Sequence, residues 1–435
     1  MPIIEDGSAE NYDVIVIGGG VAGCSTALSL TRKKPDAVVL VLDNANVSSF
    51  KVGIALPEEA QQVLSYLAPQ YPLELLQDLS ESESIPLLSR SSGNACSWSG
   101  PDLRENRAQK DGSGIGWHLD RAQFDEILRD VVIGSTESQK APSLSRGTFI
   151  GIEKVDEGRL WSISVQDSES KEVTVYTSKW VVDASGREAT VARMLGARTV
   201  QFDTLTAFHA LFMQIPNALS TDPDHRSIIE ASENGWWFTA PTPSRVRVVI
   251  YYTDKSNPTA RAAQTQSGFL KLLFRGTVHI ARLLTKYQYA IVPGTTADNT
   301  SNSTVDKSKS KKPAIYQIPA GSTHLTPCCN QRNGEDGDGA RWCAVGDAAM
   351  AIDPLASQGI LNAMKLGSCV GDAIARELLL RPEGGTTGAD QPVAPDPTAE
   401  VPAVMAQMRY NCEVEKLESY RQAVGFQGEF WLRRR

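Results

Sequence analysis

The chain has 435 residues, 41% of them hydrophobic and 22% charged, a globular mixture with ample apolar area for a core. A net charge of −8 gives nucleic acid and anionic membranes no attraction. No stretch reaches the roughly 18–20 apolar residues that span a bilayer.

The first ten residues are acidic and polar, unlike a signal peptide. Seven cysteines with no CxxC pair read as reduced thiols, and five histidines show no ligand spacing. The expectation is a cytoplasmic protein without metal.

In chain order, residues 13–17 read as a strand, 21–33 as a helix stopped by Pro35, and 38–42 as a second, wholly apolar strand. Residues 57–67 read as an amphipathic helix, 74–116 as irregular, and 121–132 as a helix. Then 148–155, 161–166 and 172–177 read as an antiparallel meander, followed by a separate buried strand at 179–183. Residues 204–214, 236–240 and 246–252 alternate like strands of a second sheet, and 264–284 reads as helical. Two polar stretches, 293–313 and 384–402, read as disordered. The basic end Arg433, Arg434 and Arg435 reads as a solvated terminus.

Gly18-Gly19-Gly20-Val21-Ala22-Gly23 is a GxGxxG turn between a strand and a helix. Gly18 permits the tight turn, Gly20 lets backbone approach a pyrophosphate, and Gly23 lets helix and sheet pack closely. The amides that open the helix then face phosphate. Asp43 ends the next strand at the place of a ribose-binding carboxylate. An acid there repels a 2′-phosphate, so FAD or NAD fits and NADP does not.

Far downstream stand Trp342-Cys343-Ala344-Val345-Gly346-Asp347 and Asp353-Pro354-Leu355-Ala356-Ser357-Gln358-Gly359-Ile360. This pair resembles the second FAD signature of glutathione-reductase-type flavoproteins, in the branch of aromatic hydroxylases and flavin-dependent halogenases. The resemblance implies that Asp347 accepts a hydrogen bond from a ribityl hydroxyl, and that the backbone at Gly359 and Ile360 lies against the isoalloxazine. The segment from Gly116 to Asp125 resembles that family's helix with an arginine near the flavin, which points to Arg121. Trp180-Val181-Val182-Asp183-Ala184-Ser185-Gly186-Arg187 resembles its DASG element. The ending Phe430-Trp431-Leu432-Arg433-Arg434 resembles that of bacterial flavoproteins that include monooxygenases hydroxylating tryptophan during maturation of protein-derived quinones.

The resemblance implies an α/β fold. A Rossmann-type FAD-binding domain (11–50, 110–200, 340–382) is joined to an antiparallel β-sheet substrate domain (51–109, 201–339). A linker (383–402) and a C-terminal helical tail (403–435) follow.

The halogenase motif of Gly-Glu-x-x-x-Pro is altered here to Gly53-Ile54-Ala55-Leu56-Pro57, and no lysine lies between Lys51 and Lys110. The W-x-W-x-I-P motif is altered to Trp236-Trp237-Phe238-Thr239-Ala240-Pro241. These departures favour an FAD monooxygenase acting through a flavin C4a-hydroperoxide on a small or peptide-borne aromatic substrate, with O2. NAD(P)H or a separate flavin reductase would supply electrons. Trp236, Trp237 and Phe238 are expected to wall the substrate. The alternatives are a halogenase, a reductase, or a non-catalytic flavin-fold maturation protein. No general base stands out; His118 and His209 are candidates.

Overall fold

The computed structural model describes residues 10–44, 51–69, 87–98, 100, 102–107, 116–134, 143–293, 314–330, 339–380 and 397–435. Its first sheet is built on the strand Glu10–Ile17, which runs parallel to Val39–Asp43 on one side and to Val173–Asp183 on the other. Arg341–Ala344 pairs parallel with Val173–Asp183, and the meander strands Leu160–Gln166 and Thr148–Val155 extend the sheet antiparallel. The core of this sheet is made of the wholly buried runs Val14–Val16 and Val39–Leu42, as expected of parallel strands covered on both faces.

The regions expected as separate strands at 172–177 and 179–183 are one strand, Val173–Asp183. Its first part, Val173 to Ser178, pairs with the meander, while Tyr176 to Asp183 pairs with Glu10–Ile17. Lys179 therefore interrupts the apolar pattern without interrupting the strand.

The two sequence motifs are more than 300 residues apart but meet because two helices touch. Helix Val21–Lys33 packs on helix Gly359–Leu380 through Gly367 and Gly371. A Cβ at Gly367 would lie 2.5 Å from Ala22 O, and one at Gly371 would lie 2.4 Å from Thr26 O. Only glycines one turn apart allow that approach. The sequence signal was available in Gly367-Ser368-Cys369-Val370-Gly371 and was missed.

The second sheet centres on Leu205–Gln214, Val246–Asp254, Gly235–Pro241 and Ser227–Ser232, all antiparallel. Ser227–Ser232 was not foreseen. Part of the stretch read as irregular, Gly93–Ser97, adds a parallel strand beside it. Its small polar residues give it no strand propensity, and pairing alone recruits it. The helical reading of 264–284 resolves into Gln266–Gly276 and His279–Lys286, with Thr265 capping the first by accepting from Gly268 N.

Of the two stretches read as disordered, 294–313 and 384–396 lie outside the described residues. Residues 397–402 do not fit that reading, since they begin the helix Pro397–Arg421. The basic end is also corrected. Phe430 and Trp431 are buried, and Arg434 is buried with them, its guanidinium 2.6 Å from Asp254 Oδ1. A cation paired with a carboxylate is stable there, so charge alone was a poor guide to exposure. None of the seven cysteines is bridged. Among the described residues, no helix is long and apolar enough to cross a membrane.

Candidate functional site

The glycine turn divides its labour as steric rules require. Gly18 has φ +113°, and a Cβ there would lie 2.3 Å from Ala184 O. A Cβ at Gly23 would lie 1.9 Å from Gly18 O, so this residue serves helix packing. A Cβ at Gly20 meets nothing within 4 Å. It would project into a cavity whose wall includes Gly20, Val21 and Ala22. No side chain caps the helix start at Gly20, and this is the geometry of an anion cradle.

Asp43 lies under Gly19, whose added Cβ would be 3.0 Å from Asp43 Oδ2. Arg129 fixes that corner by donating from Nη1 to Gly19 O at 3.1 Å and to Asp43 Oδ2 at 3.2 Å. Sequence reading missed Arg129, which sits on the helix Arg121–Gly134 among other charged residues and carries no motif.

The cavity has a volume of about 360 Å³, within the range of small-molecule sites. It brings Gly20 and Ala22 together with Arg121, Asp347, Gly359 and Ile360. A Cβ at Gly359 would also enter open space. Asp347 lines the cavity with its side chain 46% exposed, and Arg187 and Arg121 act on its carboxylate as nearby cations. Arg187 Nε stands 3.5 Å from Asp347 Oδ2, while its Nη1 donates to Gly321 O at 2.7 Å. Arg187 was quoted within a motif but not foreseen as a site residue. Arg121 Nε donates to Asp125 Oδ1 at 3.1 Å, which aims the arginine from the first turn of its helix.

The opposite wall comes from the second sheet. Trp236 and Phe238 line it with Val248, Ile250 and Tyr252. Trp237 does not. Side chains alternate across a strand, and Trp237 points to the other face, where it stacks on Tyr251 and packs edge-on against Phe269. The expected three-residue wall is therefore corrected to Trp236 and Phe238.

The two histidine candidates separate. His118 is buried away from the cavity, with Nε2 3.0 Å from Ser227 Oγ, and desolvation pushes its pKa down to about 3. His209 lines a side lobe with Lys51, Arg187 and Asp347, and desolvation pushes it down to about 4. It is neutral at physiological pH. Asp183 is buried, accepting from Ser185 N and Ala192 N, so it stabilises the loop between them rather than reaching the cavity.

The residues present fit FAD: an uncapped helix start beside Gly20, a carboxylate at Asp43, and a second helix start at Gly359 facing the same space. Fold and site define an FAD-dependent oxidoreductase.

The likenesses narrow that class. No protein-family model matches the chain. It is 28% identical over 356 residues to a protein named as an FAD-dependent oxidoreductase, LodB of Marinomonas mediterranea, covering 82% of each. It is 22% identical over 391 residues to a 1H-pyrrole-2-carbonyl-[peptidyl-carrier protein] brominase of Pseudoalteromonas luteoviolacea, covering 85% of this chain and 78% of that one. Its fold matches the flavin-dependent halogenase CmlS with TM-score 0.73 at 17% identity, over 98% of this chain and 68% of that one. It also matches the peptidyl tryptophan dihydroxylase QhpG, essential for tryptophylquinone cofactor biogenesis, with TM-score 0.62 at 19% identity, over 98% and 79%. The chain is thus similar in sequence to an FAD-dependent oxidoreductase and to a brominase, and in fold to flavin-dependent halogenases.

Proposed function

We propose that this enzyme uses FAD to functionalise an electron-rich aromatic ring held against Trp236 and Phe238. The observation that carries this is continuity: one cavity joins the FAD cradle to an aromatic and aliphatic wall. Bound FAD would supply the redox chemistry with O2. The chain's residues bind, orient and exclude water. The amides after Gly20 would hold the pyrophosphate, Asp43 the adenosine ribose, and Asp347 a ribityl hydroxyl. Arg121 would lie against the flavin, and the backbone at Gly359 and Ile360 would support the ring edge. Ile54, Ala207, Val248 and Ile250 make the wall dry.

The named relatives weigh toward halogenation, since a brominase and a halogenase stand among them. Hydroxylation is the second reading, supported by the likeness to the dihydroxylase and by one structural feature. Among the described residues lining the cavity there is no lysine, and Lys51 in the side lobe is tied to Asp125 at 2.8 Å. A halogenase-type lysine relay has no counterpart among the described residues lining the cavity. Both kinds of relative act on a carried ring, a carrier-bound pyrrole or a peptidyl tryptophan, so a peptide- or carrier-borne aromatic group is the proposed substrate class. A separate flavin reductase or NAD(P)H would supply electrons.

The test is turnover of the FAD-loaded chain with a flavin reductase, NADH and O2, with and without bromide. Free and peptide-borne indole and pyrrole serve as substrates, and products are read by mass. A bromine replacing hydrogen supports halogenation; an added oxygen supports hydroxylation. Unchanged substrates under all conditions would remove the proposal.

A further inference from the structure

We propose that Tyr420, on the C-terminal helix, is a positioning residue that fixes the indole of Trp236 in the cavity wall; this rests on the aromatic-substrate reading above. Trp236 Nε1 donates to Tyr420 Oη at 3.2 Å, and Tyr420 Oη donates to Asp353 Oδ2 at 2.9 Å. Asp353 Oδ1 in turn accepts from Leu355 N at 3.0 Å. One phenol thus joins the strand Gly235–Pro241, the turn Pro354–Ala356 ahead of Gly359, and the helix Pro397–Arg421. All three side chains are buried, with exposures of 1% for Trp236, 0% for Tyr420 and 3% for Asp353.

The ring needs both of its restraints. Trp236 stacks on Tyr252 with centroids 3.9 Å apart and planes 17° apart. Stacking fixes the plane of an indole but leaves rotation within it. A hydrogen bond from the single N–H removes that rotation. It also commits the only polar group of Trp236 away from the cavity, which then meets aromatic surface alone.

The C-terminal residues hold Tyr420 in turn. Its ring lies edge-on to Phe430 and Trp431, at 6.4 and 6.0 Å. Trp431 Nε1 donates to Ser232 O at 2.9 Å, and Arg434 grips Asp254. The Phe430-Trp431-x-x-Arg434 ending therefore supports the substrate wall from behind.

The test uses the full-length, FAD-loaded protein and indole as the probe. Indole affinity is read from the flavin absorption change. Tyr420→Phe keeps the ring and removes the hydroxyl; Trp236→Phe keeps an aromatic wall and removes the N–H. Each is expected to weaken indole about fivefold, the scale of one lost hydrogen bond. The double variant is expected to be no weaker than either single one, because both changes remove the same contact. Additive losses would overturn the proposal.

Asp353→Asn is the second variant should Tyr420→Phe not fold. It disturbs the acceptor of Tyr420 from outside the wall, and is expected to weaken indole only where Trp236 keeps its N–H. An equal loss in the Trp236→Phe background would overturn the proposal. A separate measurement isolates the contact itself. With tryptophan labelled by 15N, the indole N–H of Trp236 is expected to exchange with solvent about fivefold faster in Tyr420→Phe. Unchanged exchange would overturn the contact. Normal exchange behaviour with no indole binding to wild type would instead sink the aromatic-substrate reading.

Discussion

The FAD cradle and the aromatic wall face the same cavity but are made in opposite ways. The cradle's first half is one βαβ unit, where Gly18, Gly20, Gly23 and Asp43 lie within a short span and backbone geometry dictates residue type. The wall is assembled from Ile54, Ala207, Trp236, Ile250 and Tyr252, and held from behind by Tyr420 and Arg434. Steric necessity at a turn leaves a mark in sequence; a wall of apolar side chains leaves only an alternating pattern that any strand shares.

The sharpest contrast is at the glycines. Gly23→Val would drive a side chain into Gly18 O, 1.9 Å from an added Cβ, and is expected to yield no soluble folded protein by circular dichroism. Trp236→Phe, in the wall, is expected to fold. A folded Gly23→Val would break the comparison.

Next is the tail. Arg434→Ala leaves Asp254 buried without its cation and is expected to cost about 3–5 kcal/mol in urea unfolding. Arg433→Ala, at an exposed pair with Glu429, is expected to stay within about 0.5 kcal/mol of wild type. Equal effects would return the tail to the solvated terminus that its charge suggests.

A smaller effect concerns pH. Burial raises the Asp353 carboxyl from 3.8 to about 6. The folded chain then holds that proton longer than the unfolded chain does. The resulting stability is full below 3.8 and is lost as pH rises through about 6, a change of about 3 kcal/mol. Urea unfolding across that window is expected to show the fall in wild type and a flatter profile in Asp353→Asn. The same slope in both would assign the titration elsewhere.

The smallest effect is expected at Trp237. Its ring faces Phe269 on the far side of the sheet, so Trp237→Phe should leave indole affinity unchanged. A loss equal to that of Trp236→Phe would put Trp237 back in the wall.

What sequence revealed follows the same division. The strand–turn–helix over 13–33, Asp43, and the convergence of Asp347 and Gly359 on the first motif were all legible. Resemblance carried the second motif, and the Gly367 and Gly371 contact explains why the two meet. Arg129 and Tyr420 were invisible because each acts through a partner 86 or 67 residues or more away, with no local rule linking them. Trp237 was misplaced because three adjacent aromatics were read as one surface, although strand alternation already divides them.

The central claim is that the glycine turn and the Asp347 loop clasp one FAD, and flavin content per chain tests it most directly. Wild-type protein saturated with FAD and then desalted is expected to retain about one flavin per chain, as expected for a single cradle. Gly20→Val, whose new side chain meets no protein atom within 4 Å but enters the cradle, is expected to fold and emerge nearly colourless. A folded Gly20→Val that retains wild-type flavin would contradict the account.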